Sequence, residues 1–194
     1  MKPQSNLLYS ELLSFPKEAS FAMGEHLPTS SKWAWLIKTG VIKTYTWTQE
    51  GNAIIVGYWG RGELVGSPLS MVSPYLMQCR TPVEVQRVVT EEWSHWGQCL
   101  CHHCQESEKL LYINRVEPLQ ERLRLFLVWL AQKLGHQVDT GWQINFKLTH
   151  QEIAEAVGGS RVSVTRLLRE LEKEGKIERW SRRSIIVKDS TLKE

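Results

Sequence analysis

With 194 residues, 42% of them hydrophobic and 23% charged, the chain is long enough to bury a sizeable core, as one large domain or two small ones. No run approaches the roughly twenty apolar residues of a membrane span, and residues 1–18, interrupted by Glu11 and Pro16, lack a small-residue cleavage site, so a cytoplasmic location is expected. The net charge of +3 does not define a partner, but residues 145–194 carry eleven Lys/Arg against eight Asp/Glu while residues 91–144 carry five against seven, which makes the C-terminal end the basic one.

From Trp33 to Val89 the sequence reads as short strands punctuated by turns. The segment 41–47 is rich in β-branched and aromatic residues, 49–52 reads as a turn, 53–59 is apolar, 60–62 is another turn, and 83–89 is a later strand. This spacing predicts an antiparallel sandwich or roll rather than βαβ units. After it, Thr90 can cap a helix that opens with Glu91 and Glu92. Trp93, Trp96, Leu100, His103, Ser107, Leu110 and Asn114 then follow a three-four spacing, the outline of a dimer seam with polar interruptions.

Pro118 should start a second helix, 119–134, with Leu123, Phe126, Leu127, Leu130 and Leu134 on one face and Gly135 closing it. Residues 136–142 read as a polar connection and 143–147 as a small strand. The domains expected are therefore a β-rich unit (1–90), a central helix (91–117) and a C-terminal unit (118–194), an α+β architecture.

Within the last unit Thr149 and Glu152 have the spacing of a capping box, and Ile153, Ala154 and Val157 give the first helix an apolar face. Gly158-Gly159 ends it at a sharp turn, and Ser160 can cap a second helix running to about Glu174. Val164, Leu167, Leu168 and Leu171 form that helix's buried stripe, and Arg161, Val162, Thr165, Arg166 and Arg169 the opposite one. A helix-turn-helix uses such a second helix to enter the major groove. Arg reads guanine O6 and N7, and an apolar side chain senses the thymine methyl. A hairpin follows with Arg182 and Arg183 at its tip, suited to gripping phosphates.

Residues 148–187 resemble the DNA-binding domain of the cyclic AMP receptor protein (Crp/Fnr) family, and SRVSVTRLL looks especially like its cyanobacterial nitrogen-control branch. FAMGEHL, LIKTGVIKTY and GRGELVGSPLS resemble the family's β-roll in order and spacing. The resemblance implies a winged helix-turn-helix, a homodimer along the central helix, a ligand pocket in the roll, and contact with RNA polymerase or another regulator. It places Arg161, Val162 and Arg166 at base-reading positions, with Thr149, His150, Gln151, Ser163 and Thr165 near the phosphates, and Ser160, which opens the helix, is a further DNA-binding candidate. Where cyclic AMP readers carry Glu, this chain has Val162, which implies a palindrome with GTA-like and TAC-like half-sites about 10 bp apart.

Cyclic AMP is not the expected effector, because Ser67 and Pro68 follow Gly66 where the sugar-binding Glu would stand. Cyclic di-GMP and 2-oxoglutarate fit better, with Arg61, Gly62, Glu63, Gly66, Ser67, Arg80, Thr81 and Arg87 as candidate effector residues. The central helix is also shorter than the family's. A receptor acting mainly through protein–protein contacts is the alternative.

Cys99, Cys101 and Cys104, with neighbouring histidines, are soft or borderline ligands and candidates for a metal or redox sensor. On one helix, however, Cys99 points away from the other two, so no metal is expected. Nor is an enzyme expected, since neither a phosphate-binding glycine loop nor a nucleophile–base–acid set is present.

Overall fold

The structure, a computed structural model, describes residues 16–181 and 184–192. Its first half is a roll of two antiparallel sheets. One has the order β1-β7-β2-β5 (β1 Glu18–Phe21, β2 Trp33–Thr39, β5 Leu64–Val65, β7 Val83–Val89). The other has the order β4-β3-β6 (β3 Ile42–Trp47, β4 Ala53–Trp59, β6 Leu76–Cys79). The strands expected at 53–59 and 83–89 form with those bounds. Trp35, Ile37, Ile42, Trp59, Tyr75, Met77, Cys79 and Val85 fill the space between the sheets. Burying several large aromatic faces supplies much of the roll's stability.

The helix expected from Thr90 begins later. Thr90–Trp96 forms a 3-10 segment, and the α-helix proper, α1, is Gly97–Arg115. The three-four stripe is real but faces inward. His103 and Leu110 are buried, and Trp93, Trp96 and Leu100 pack against Ala34, Leu36, Leu64 and Val88 of the roll. Alternating spacing shows that one helix face is covered without saying by what, and here the cover is the chain's own roll and, around Leu110, the cluster that holds Phe126 and Leu130. The outward face carries Leu111 (59% exposed) and Tyr112 instead.

Helix α2, Leu119–Leu134, runs where Pro118 and Gly135 set its ends. The segment 136–147 departs from expectation: β8 (His136–Val138) and β9 (Gly141–Ile144) form a hairpin, so the polar connection is itself a strand and the small strand starts two residues earlier. Gly141, at φ 152°, permits its tight turn, and a Cβ there would lie 2.1 Å from the Val187 carbonyl. The hairpin joins β10 (Ile177–Ser181) and β11 (Ser184–Lys188) in a sheet of order β10-β11-β9-β8. Helices α3 (His150–Val157) and α4 (Arg161–Lys173) pack on it with α2, and α5 (Asp189–Leu192) follows β11.

A single apolar cluster spans the two halves. Val41, Tyr45, Ile55 and Tyr58 of the roll share it with Phe146, Ile153 and Ala154 of the C-terminal half.

Candidate nucleic-acid interface

Helix α3 starts as its capping residues dictate. The Glu152 N–H donates to Thr149 Oγ1 (3.1 Å), and Glu152 Oε2 accepts from the Thr149 N–H (3.0 Å), satisfying two donors that a helix start leaves orphaned. Gly158 ends the helix in the left-handed region, φ 62°, and Gly159 lies so close to Leu119 that a Cβ would approach its Cδ2 to 3.1 Å. Arg122 reaches over from α2 and donates to the Val157 carbonyl at 2.9 Å. Ser160 then caps α4 by accepting from the Ser163 N–H (3.0 Å).

These ends fix the faces of α4. Val164, Leu167, Leu168 and Leu171 are buried, while Arg161, Val162, Arg166 and Arg169 stand outward. Val162 is 80% exposed, an apolar side chain that contributes nothing to the core. Arg161, Val162, Arg166, Arg169 and Lys173 share one shallow concavity along the helix. Arg166 Nη1 donates to Glu170 Oε1 at 2.8 Å, one turn on.

Of the residues expected near phosphates, several are engaged with one another. Thr165 Oγ1 donates to the Arg161 carbonyl and lies 2.8 Å from His150 Nδ1, bracing α4 against α3. Because the hydroxyl proton is committed, the imidazole donates from Nδ1. Gln151 is exposed and donates to Glu155, and the Ser160 hydroxyl donates to Ser163 Oγ. Arg182 and Arg183 lie outside the described residues. Lys173 was not singled out from sequence, although its spacing from Arg166 and Arg169 along α4 could have found it.

The candidate effector residues do not gather in one place. Arg80 turns to the reader domain: its Nη2 donates to Glu152 Oε2 (3.1 Å) and to the Lys147 carbonyl (2.7 Å). Lys43 Nζ lies 3.1 Å from Glu152 Oε1, so two cations of the roll hold the carboxylate that also caps α3. Burial pushes the Glu152 carboxyl up, but the Thr149 N–H and the Arg80 and Lys43 charges outweigh it and leave the group below the ordinary carboxylate range. Arg87 lies over the Trp33 ring, 5.8 Å from its centroid. Gly66 closes on Ala34, with no space for a Cβ, and the buried Ser67 hydroxyl has no hydrogen-bond partner among the described residues.

Arg61, Glu63 and Thr81 instead line a cleft of about 1010 Å3 between the roll, α1 and α2. Gly62 sits between the first two with φ 85°. On the cleft floor Lys133 Nζ bridges Glu63 Oε1 (2.5 Å) and Glu106 Oε2 (2.8 Å), and it lies over the Trp59 and Trp129 rings. Glu63 Oε2 accepts from the Gly60 N–H, and His102 Nε2 approaches Glu63 Oε1 at 3.2 Å.

The cysteines do not converge. Cys99 Sγ points to the Gly62 carbonyl, Cys101 and Cys104 are exposed, and burial pushes the Cys79 thiol up to about 11. Among the described residues no group of three His, Cys, Asp or Glu could hold a metal ion.

A β-roll joined through a helix to a helix-turn-helix with an outward Arg-Val-Arg face is the build of a DNA-binding transcription regulator. Residues 121–191 match the Crp-like helix-turn-helix domain. The chain is 35% identical to the regulatory protein CysR of Synechococcus elongatus over 98% of its own length and 95% of that protein's. It is 41% identical to the global nitrogen regulator of a Nostoc species over 45% of this chain and 39% of that one. A CRP-family transcriptional regulator from Thermus thermophilus superposes with a TM-score of 0.75, covering 91% of this chain and 97% of that one at 19% identity, which is a likeness of fold. The chain belongs to the Crp/Fnr family of transcription regulators.

Proposed function

We propose that the protein is a cytoplasmic homodimer that reads a GTA/TAC-like palindrome and answers to a small-molecule effector other than cyclic AMP. The observation that carries the DNA-reading part is Val162, exposed between Arg161 and Arg166 on a helix whose other face is buried. Two guanidinium groups and one apolar side chain along a protruding helix match the chemistry of a G-T-A edge in the major groove. The division into sensor (1–90), central helix (91–117) and reader (118–194) serves this scheme, with Leu111 and Tyr112 on the outward face of α1 available to a second protomer.

Two observations speak against cyclic AMP. Ser67 follows Gly66 where the family resemblance would place a sugar-binding Glu, and Arg80 is already engaged with Glu152. Cyclic di-GMP and 2-oxoglutarate are the effectors to try first, and RNA polymerase or another regulator is the partner on the promoter.

Fluorescence anisotropy on a duplex with GTA and TAC half-sites roughly 10 bp apart tests the reading. Binding at least a thousandfold tighter than to scrambled duplex, on the order expected for specific sites, supports it. Equal affinity for both duplexes refutes it.

A further inference from the structure

We propose that the cleft between the roll, α1 and α2 is the effector site, and that it takes a metabolite carrying two acidic groups. The proposal deepens the functional reading above by moving the ligand out of the roll interior. That interior is filled: Trp35, Ile42, Trp59, Met77, Cys79 and Val85 are each at most 3% exposed. The cleft, at about 1010 Å3, matches the upper range of small-molecule sites.

Its chemistry follows from which polar groups are already used. The carboxylates and the Thr81 hydroxyl oxygen lining it are already engaged. Glu63 takes Lys133, His102 and the Gly60 N–H; Glu106 takes Lys133 and the Trp129 indole N–H (2.9 Å); Thr81 Oγ1 takes the Val41 N–H. The donors are not. Arg61 from the β4–β5 turn has no partner among the described residues, and Lys109 from α1 meets only the Tyr112 ring, 5.4 Å away. Gln105 of α1, Gln132 of α2 and Asn145 beyond β9 likewise have no hydrogen-bond partner among the described residues.

A void whose carboxylates are already paired, whose two remaining cations are uncommitted and whose amides can turn either end to a ligand selects an anion. Two cations on separate bodies, one a guanidinium suited to a planar carboxylate or phosphate, select two acidic groups rather than one. Because Arg61, Lys109 and Gln132 belong to the roll, the central helix and the reader domain in turn, a ligand touching all three favours one arrangement of them. That differential contact is what an effector requires.

Titration calorimetry on the full chain tests this with 2-oxoglutarate, cyclic di-GMP and inorganic phosphate, each to about 10 mM. The expected result is saturable binding of 2-oxoglutarate or cyclic di-GMP, weakened about tenfold by Arg61→Ala and by Lys109→Ala and unchanged by Lys17→Ala. Anisotropy on the palindrome should then change with the bound ligand. The proposal is overturned if none of the three binds, if phosphate alone binds, or if binding is indifferent to both cleft variants. Palindrome binding without ligand is measured separately, so a cleft that fails leaves the DNA-reading assignment standing, and the converse also holds.

Discussion

Glu152 Oε1 lies 3.0 Å from Arg80 Nη2, and this one carboxylate both caps the first helix of the DNA reader and ties it to the sensor roll. Its side chain is only 10% exposed, so the attraction is little screened. Glu152→Ala removes the cap and leaves Lys43 and Arg80 buried without a counter-charge. A loss of about 3–5 kcal/mol is expected in urea unfolding.

The same carboxylate sets an acid dependence. Its folded pKa lies below its unfolded one, so the stabilisation is full above the ordinary carboxylate range and is lost as pH falls through the lowered folded value. Melting temperature should therefore fall below about pH 4, with a shallower fall in an Arg80→Met, Lys43→Met background. Identical slopes in the two backgrounds would rule Glu152 out as the titrating group.

Base reading is tested one position at a time. Arg166→Ala should cost roughly 1–3 kcal/mol on the palindrome and relax the preference for guanine. Val162→Glu should abolish discrimination of thymine at the contacted step while leaving the fold intact, because the side chain is outside the core. Anisotropy across single-base variants of the site reads both.

Adjacent leucines of α1 should behave oppositely. Leu110, 4% exposed, packs inside the chain, so Leu110→Ala should cost about 2–5 kcal/mol of stability. Leu111, 59% exposed, should tolerate Leu111→Asp in unfolding experiments yet shift sedimentation toward the monomer. A reversed pattern would return the dimer seam to the inward stripe.

Gly158→Ala should destabilise by about 1–2 kcal/mol although Arg122 leaves room for a methyl group, since the cost lies in the left-handed backbone at φ 62°. Circular dichroism during thermal unfolding measures it.

The reader was legible in the sequence because its signals are local. Thr149, Glu152, Gly158 and Ser160 lie within twelve residues and act on their own backbone. Covering surfaces were not legible. The stripe through His103 and Leu110 announced a buried face, but its covers, Trp59 over His103 and the cluster of Phe126 and Leu130 that takes in Leu110, are distant in sequence. Arg80 was read as an anion ligand, and its partner stands 72 residues away with no local trace. The β8–β9 hairpin was half missed because its first strand is polar and short, held in place by pairing with β9.

The apolar seam shared by Tyr58, Ile55, Phe146 and Ile153 sets a cost on any swing of the helix-turn-helix against the roll. Tilting one against the other would wet Tyr58 and strand the charges of Lys43 and Arg80 together. A message received in the cleft must therefore carry enough binding free energy to open this latch, and without it the two halves stay locked.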